Sequence, residues 1–189
     1  RAAAVFCLFR IGSPEALRGV RQALGDADPG VRVAAARAAG MARDPAAVSR
    51  LGGLLLDDDL AVRRQAGTAL AQIGDHSVVG AVLSALAAPA DRFVEHALTY
   101  ALLRLPEPSR MAAGLGDPSP RVRKAALIAL DQMEGRPLEE RQLLPLLDSE
   151  DADLRRTALW VASRHLEWSP GISAFLEDRL RADLSDGEL

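Results

Sequence analysis

The sequence DADPGVRVAAARAAG, residues 26–40, decides the fold, because variants of it return along the chain. They are DDDLAVRRQAGTALAQIG at 57–74, DPSPRVRKAALIAL at 117–130 and EDADLRRTALWVA at 150–162. The apolar residue that recurs shortly after each acidic start is taken as an anchor. The anchors are Val31, Val62, Val122 and Leu154, and a weaker copy is anchored at Phe93. A period of about 30 residues is typical of one supersecondary unit that stacks on its neighbours.

Each copy of this phrase predicts an amphipathic helix. Counted from the anchor, small or apolar residues fall at positions +4, +7, +8 and +11, which lie on one helix face. Residues 1–12 fit the same register one period earlier and form a sixth, partial copy. Position +4 is alanine in all six copies, and a side chain this small lets neighbouring helices approach closely. These alanines are Ala4, Ala35, Ala66, Ala97, Ala126 and Ala158.

A second apolar stretch follows each phrase after a break that contains glycine, proline or aspartate, residues that stop and start helices. Each repeat is therefore predicted to be helix, turn, helix, and the pairs must stack to bury their apolar faces. The predicted second helices cover residues 13–24, 45–56, 76–87, 107–115, 138–147 and 170–184.

Composition supports an all-α class and argues against two functions. Hydrophobic residues make up 49% of the chain but aromatic residues only 4%, so the apolar content is mostly alanine, leucine and valine. A net charge of −3 argues against nucleic-acid binding, and no apolar run reaches the roughly 20 residues that span a bilayer. Because Arg1 falls inside a helical pattern, we expect a partial first repeat in a fragment of a larger protein.

The phrase D-x-[DS]-P-x-V-R-x-x-A-A resembles the HEAT repeat, in the short bacterial version named after phycobilisome lyase subunits. The resemblance implies a right-handed α–α superhelix of about five helix pairs plus a partial N-terminal one, over residues 1–184. The polar tail 185–189 is expected to fray. Family membership also implies a ladder of paired acidic and basic residues across repeats, interrupted in the fourth copy, where Ala90 and Val94 take its positions. The ladder residues are Asp28, Arg32, Asp59, Arg63, Arg123, Asp151 and Arg155.

A second resemblance covers DRFVEHALTYALLRLPEP at 91–108 and RKAALIALDQMEG at 123–135. These stretches are similar to the HEAT segment of large bacterial proteins that combine a propeller-like dehydrogenase domain with a CxxCH haem module. No CxxCH occurs in this chain. The resemblance implies that redox chemistry belongs to other parts of the parent chain, in a periplasmic setting; without it, a cytoplasmic location is the default expectation.

No catalytic, cofactor-binding or metal-binding residue is predicted. HEAT-type deoxyhypusine hydroxylases bind iron through His-Glu pairs, and none of His76, His96 and His165 precedes a glutamate. HEAT-like DNA glycosylases use tryptophans in a basic groove. Here Trp160 lies in a first helix, where its side chain is expected to pack in the core, and residues 76–87 carry no Lys or Arg. The lone cysteine, at a position that is small in other copies, is expected to be buried.

The fourth copy is irregular, and two interpretations stay open. Phe93, Glu95, His96 and Tyr100 replace residues that are small or part of the ladder in other copies, with Tyr100 at a usual alanine position. The aromatic side chains either fill a wider gap at a local bend or form a docking site for a partner.

The chain is thus predicted to be a non-catalytic scaffold that binds a protein or neighbouring domains of its parent chain. The alternative is the helical part of an enzyme assembly, either a haem-linked dehydrogenase or a chromophore-lyase-like complex. The partial first repeat adds an expectation of self-association through exposed Val5, Phe6 and Phe9.

Overall fold

The structure, a computed structural model, describes residues 1–135 and 137–186, of which 182–186 are described by their backbone alone. Within these ranges the chain forms twelve α-helices and no strand, arranged as six successive helix pairs. The first helices are α1 (Ala2–Ile11), α3 (Pro29–Met41), α5 (Leu60–Ile73), α7 (Arg92–Arg104), α9 (Pro120–Gln132) and α11 (Ala152–Ala162). The second helices are α2 (Pro14–Ala23), α4 (Val48–Gly53), α6 (Val79–Ala87), α8 (Pro108–Gly114), α10 (Glu140–Leu147) and α12 (Ser169–Asp186).

Short 3₁₀ segments extend three of the second helices. They cover Pro45–Ala47 and Leu54–Leu56 on either side of α4, His76–Val78 before α6, and Leu166–Trp168 before α12. The predicted frayed tail, 185–189, is helical at its first two residues, and 187–189 lie outside the described residues. The all-α solenoid predicted from the repeat is confirmed.

Aspartates start the first helices by capping free backbone N–H groups. The side chain of Asp28 accepts a hydrogen bond from the N–H of Gly30, and Asp59, Asp91 and Asp151 make equivalent bonds at α5, α7 and α11. A carboxylate at this position satisfies an orphan donor and interacts favourably with the helix dipole. In these four repeats the capping aspartate therefore specifies where the first helix begins.

The core forms one continuous cluster along the stack of repeats. Ala35, Ala66, Ala126 and Ala158 are completely buried, as position +4 predicted. Small residues also bring α3, α5 and α7 together. A Cβ added to Gly40 of α3 would lie 2.8 Å from the Cα of Ala69 on α5, and one added to Gly67 of α5 would lie 2.8 Å from a methyl carbon of Leu98 on α7. This close packing of first helices holds successive repeats together.

The fourth repeat corrects the predicted register by one residue. Val94 is 1% exposed, whereas Phe93, the predicted anchor, is 52% exposed. The helix is capped by Asp91, three residues before Val94, which matches the spacing from cap to anchor in the other repeats. Asp91 and Glu95, and not Ala90 and Val94, therefore occupy the two ladder positions. Counted from Val94, position +7 is Ala101, which is buried, and Tyr100 is not at that position.

The first repeat corrects three further expectations. Ala4 and Cys7 are exposed, because Val5 is the residue of α1 that is buried against the core. Phe9 also packs against the core, so Phe6 is the exposed member of the three residues that were predicted to promote self-association. A shift of one residue rotates a helical position by about 100°, which exchanges buried and exposed sites.

Candidate interaction site

The loops before the first helices carry a second acidic residue that the sequence argument missed. Asp57, two residues before the cap Asp59, accepts the backbone N–H of Asp59 at 2.9 Å. Asp26 and Asp117 accept the N–H of the cap residue in their own loops. The spacing Asp-x-Asp at 26–28 and 57–59 is the sequence signal that could have revealed this role.

The predicted ladder exists in an altered form. Arg32 donates from Nε and Nη2 to the carboxylate of Asp57 in the next repeat, at 2.8 Å each, and not to Asp59. The predicted acidic partners Asp28, Asp59 and Asp151 act instead as helix caps. Their carboxylates already accept backbone N–H groups of their own helices, which leaves Asp57 to receive the arginine.

The other predicted ladder arginines bond to backbone carbonyls. Arg63 donates from Nε to the carbonyl oxygen of Asp57 and from Nη1 to that of Pro89, at 2.9 Å for the second bond. Arg155 donates to the carbonyl oxygen of Ser149 at 2.7 Å. These arginines tie the loops of one or two repeats together without forming carboxylate pairs.

Arg123 differs from the other ladder arginines. Its Nε is buried and has no hydrogen-bond partner among the described residues. The side chain lines a cavity of about 740 Å³ between the loop that precedes α9 and the loop that precedes α11. The cavity is lined by Leu115, Pro118, Pro120, Arg123, Pro145, Leu146, Ser149, Glu150 and Asp151.

Glu95 belongs to a charge network that links three repeats. Its carboxylate lies 3.2 Å from Nε of Arg121 and 3.5 Å from Nζ of Lys124, and Lys124 also contacts Asp153 at 2.6 Å. Hydrogen bonds from Lys124 and Arg156 hold the pKa of Asp153 below its usual value. Burial acts to lower the pKa of Lys124, but the two carboxylates outweigh it and raise that pKa.

Three of the four predicted docking residues share one exposed face of α7. Phe93, His96 and Tyr100 are spaced by three and four residues, and Tyr100 is 45% exposed. With Arg64 and Thr68 of α5 they line a groove of about 340 Å³, largely apolar in character. We call these three residues the α7 stripe. The fourth predicted residue, Glu95, faces the neighbouring α9 and is absent from the groove.

The exposure of the α7 stripe contradicts one of the two interpretations of the irregular repeat. Aromatic side chains that filled a gap at a bend would be buried, yet Phe93 and Tyr100 are about half exposed. A similar groove of about 320 Å³ lies two repeats earlier, between α1 and α3, and is lined by Phe6 and Met41 among others. Grooves between first helices are therefore a recurrent feature of this surface.

Three arginines of the first two second helices lie close together. Arg18, Arg21 and Arg50 line a cavity of about 310 Å³ on α2 and α4. Within it, Arg21 is paired with Asp44 at 2.6 Å and Arg50 donates to the carbonyl oxygen of Arg21 at 2.8 Å. Arg18 is paired with Glu15 at 3.0 Å, so all three guanidinium groups are already engaged, and the neighbouring α6 carries no Lys or Arg.

His165 is buried between the last two repeats. Its Nε2 lies 2.9 Å from Asp131 Oδ1, its Nδ1 lies 2.7 Å from Glu167 Oε1, and its ring stacks on Trp168 at 3.7 Å between centroids. Trp160, which was expected to be packed, is about half exposed beside the guanidinium of Arg164. Sequence reasoning missed this cluster because Asp131 and His165 lie in different repeats.

The part of the chain that the structure describes contains no group of three or more His, Cys, Asp or Glu side chains placed to hold a metal ion. In the same residues, no helix is both long and apolar enough to cross a membrane.

These features define the class of protein: an α–α solenoid of stacked helix pairs, in which arginines of the first helices bind the loop of the next repeat, as Arg32 binds Asp57. The family model for HEAT repeats matches residues 1–65 and 34–103, which together are more than half of the chain. The chain belongs to the HEAT repeat family, as the repeat phrase predicted.

The solved structures that are similar to this chain include two from different organisms. One is the complex of CpcE and CpcF of phycocyanin lyase from Nostoc sp. PCC7120, at 27% identity and a TM-score of 0.54, over 83% of this chain and 67% of that chain. The other is the archaeal HEAT-like repeats protein from Thermococcus onnurineus NA1, at 15% identity and a TM-score of 0.57, over 87% and 75% of the two chains. No curated protein matches the sequence significantly. HEAT repeats generally mediate protein interactions, and the first of these structures is itself a protein complex.

Proposed function

We propose that this chain is a non-catalytic scaffold that binds a protein partner, or a neighbouring domain of its parent chain, through the α7 stripe. The observation that carries the proposal is the exposure of Phe93 and Tyr100 on one face of α7, beside a groove of about 340 Å³. Aromatic side chains bury a large apolar area on association and are enriched among the residues that dominate binding energy.

The surroundings of the stripe favour a protein over a nucleic acid. The chain carries a net charge of −3, and the basic residues near the groove are Arg64 and Arg92, which stacks on Phe93 at 4.8 Å. A mixed apolar and weakly basic patch of this kind suits the centre of a protein interface, whereas phosphate backbones require an extended basic surface.

The test uses a photoreactive amino acid at His96, in cells that make the chain within its parent protein. Ser84, exposed on α6 away from the stripe, is the control position. We expect a defined adduct from position 96 that is absent from position 84. Mass spectrometry of the adduct identifies the partner protein. The partner is then purified, and its Kd for the chain is measured.

The purified partner should then bind at least tenfold more weakly to the variant Phe93→Ala/Tyr100→Ala, because the aromatic contacts are lost. The melting temperature of this variant should stay close to that of the unsubstituted chain, since both side chains are half exposed. Loss of thermal stability with unchanged partner binding would show that the stripe is structural and would overturn the proposal.

A second candidate function is that of a non-catalytic subunit in a lyase-type complex. It is favoured by the likeness to the CpcE and CpcF complex of phycocyanin lyase, which extends over 83% of this chain. Size-exclusion chromatography of the chain mixed with phycocyanin subunits tests this candidate. Co-elution supports it, and separate elution of the two proteins at micromolar concentrations counts against it.

A further inference from the structure

Asp57 and Ser149 occupy the same position in two different repeats. Each lies two residues before a capping aspartate, and its side chain accepts the backbone N–H of that residue, at 2.9 Å for Asp57 and 3.2 Å for Ser149. Each also accepts a hydrogen bond on its backbone carbonyl, from Arg63 and Arg155 respectively. Two contacts of the same kind thus fix both loops in equivalent conformations.

The arginine that faces this position from the preceding repeat has a partner in one case only. Arg32 binds the carboxylate of Asp57 through Nε and Nη2. Arg123 faces Ser149, whose hydroxyl is shorter and uncharged, and its buried Nε has no hydrogen-bond partner in the described part of the chain. The unpartnered atom of Arg123 is therefore the same atom that Arg32 uses to bind a carboxylate.

The space in front of Arg123 is large enough for a ligand. The cavity of about 740 Å³ is lined by leucines and prolines from the end of α8, the start of α9 and the end of α10, and by four polar residues, Arg123, Ser149, Glu150 and Asp151. Volumes between about 300 and 1,000 Å³ are typical of ligand sites with a few well-placed polar groups. A buried guanidinium N–H without an acceptor costs free energy, and a bound carboxylate would remove that cost.

The acidic residues at the cavity determine which anion fits. Asp151 is already engaged as the cap of α11, where it accepts the N–H groups of Asp153 and Leu154. Glu150 is exposed at the rim and repels negative charge. A singly charged carboxylate that pairs with the planar guanidinium tolerates these neighbours better than a phosphate with nearly two charges.

We propose that this cavity binds an aspartate or glutamate side chain of an acidic protein segment, with the carboxylate on Arg123 in the place that Asp57 takes on Arg32. Apolar residues next to the acidic one pack against the leucines and prolines of the cavity walls. The inference rests on the proposed function in one respect, since it takes the ligand to be a segment of a protein partner. It names a site separate from the α7 stripe.

Two tripeptides test the proposal, acetyl-Leu-Asp-Leu-amide and its asparagine counterpart. The readout is the ¹H–¹⁵N NMR signal of the Arg123 side-chain N–H in the full chain, assigned with Arg123→Lys. We expect the aspartate peptide to shift this signal with saturation, and the asparagine peptide to bind at least tenfold more weakly. Phosphate at equal concentration should bind more weakly than the aspartate peptide.

Three variants make the test specific. Ser149→Asp supplies an internal carboxylate and should weaken peptide binding at least tenfold while raising the melting temperature. Glu150→Gln removes repulsion at the rim and should strengthen binding severalfold. Asp57→Ser frees Arg32 and should shift the Arg32 N–H signal when the peptide is added to a folded sample.

Absence of any saturable shift at Arg123, or equal binding of the two peptides, overturns the inference. Equal peptide binding by Ser149→Asp overturns it as well. The α7 stripe variant Phe93→Ala/Tyr100→Ala should bind the aspartate peptide with the same affinity as the unsubstituted chain. Failure of carboxylate binding is thereby distinguished from failure of the proposed scaffold function.

Discussion

Arg32 and Asp57 belong to successive repeats, and the guanidinium of Arg32 donates to both carboxylate oxygens of Asp57 at 2.8 Å. Burial acts to raise the pKa of Asp57, but the bonds from Arg32 and from the N–H of Asp59 outweigh it and lower that pKa below 3.8. A depressed carboxyl pKa stabilises the fold at pH values above the unfolded pKa, and this contribution is lost as the pH falls through the folded pKa.

We therefore expect Asp57→Asn to be less stable than the unsubstituted chain at pH 7. As the pH falls below about 4, the stabilities of the two chains should approach each other. Asparagine keeps an oxygen for the N–H of Asp59, so the substitution removes the negative charge and one of the two oxygens that accept from Arg32. Urea unfolding at a series of pH values measures the difference. Asp58→Asn, at an exposed neighbouring site, is the matched control and should behave as the parent does. A difference that persists unchanged at pH 3 would contradict this account.

A glycine pair tests how closely the first helices pack. A Cβ on Gly40 would lie 2.8 Å from the Cα of Ala69, a backbone atom that cannot move aside. Gly40→Ala should lose about 1–2 kcal/mol, since overpacking outweighs the gain in helix propensity of about 1 kcal/mol. The measurement is the free energy of unfolding from urea titration.

Gly52→Ala is the control for this experiment. Gly52 lies in α4 with no atom within 4 Å of an added Cβ, so alanine should stabilise the chain by up to about 1 kcal/mol through helix propensity alone. Opposite signs for the two substitutions are the expected outcome. A stabilising Gly40→Ala would show that α3 and α5 are further apart than the structure has them.

The pair of His165 and Asp131 should contribute measurably to stability. The Asp131 side chain is 1% exposed, and Nε2 of His165 lies 2.9 Å from its Oδ1. His165→Phe keeps a ring for Trp168 to stack on but leaves a buried carboxylate without that partner. We expect a loss of about 2–3 kcal/mol.

A double-mutant cycle with Asp131→Ala separates this interaction from packing. The two substitutions should be coupled by at least about 1 kcal/mol, since each removes the hydrogen bond between the two side chains. His96→Phe, at an exposed histidine, should change stability by no more than about 0.5 kcal/mol. Simple additivity of His165→Phe and Asp131→Ala would argue that the bond contributes nothing.

Lys124 should stabilise the stack through charge, because it bridges Glu95 on α7 and Asp153 on α11. Lys124→Met keeps the apolar stem and should cost about 1 kcal/mol at low salt, with a smaller cost at 0.5 M NaCl because salt screens partly exposed pairs. The raised pKa of Lys124 means that its charge stabilises the fold at pH values below 10.5. The lowered pKa of Asp153 means that its charge stabilises the fold at pH values above 3.8. The cost should thus stay constant from about pH 5 to 9.

Arg181→Met provides the comparison for Lys124→Met. Arg181 makes its ion pairs on the exposed surface of α12, with Glu177 and Asp178, so its loss should have little effect at any salt concentration. Denaturant titrations of both variants at two salt concentrations measure this contrast. Equal effects of the two substitutions would mean that Lys124 acts through its stem and not its charge.

The sequence by itself determined the repeated helix pairs and where most of them begin. Capping aspartates, helix-breaking glycines and prolines, and the spacing of small residues are local properties, and each acts within about a dozen residues. Ala35 and Ala66 were predicted to be buried on these grounds, and both are completely buried. The family could be identified from the same repeat phrase.

Only the tertiary structure decided which side chains meet across repeats. Arg32 pairs with Asp57 and not Asp59, and Arg123 is left without a carboxylate, because stacking geometry decides which residues of successive repeats, such as two that are 25 positions apart, come within reach of each other. The exposure of Phe93 was decided in the same way: one residue of register is a rotation of about 100° around the helix axis. Periodicity alone could not resolve that rotation in an irregular repeat, whereas contact with the neighbouring helices does.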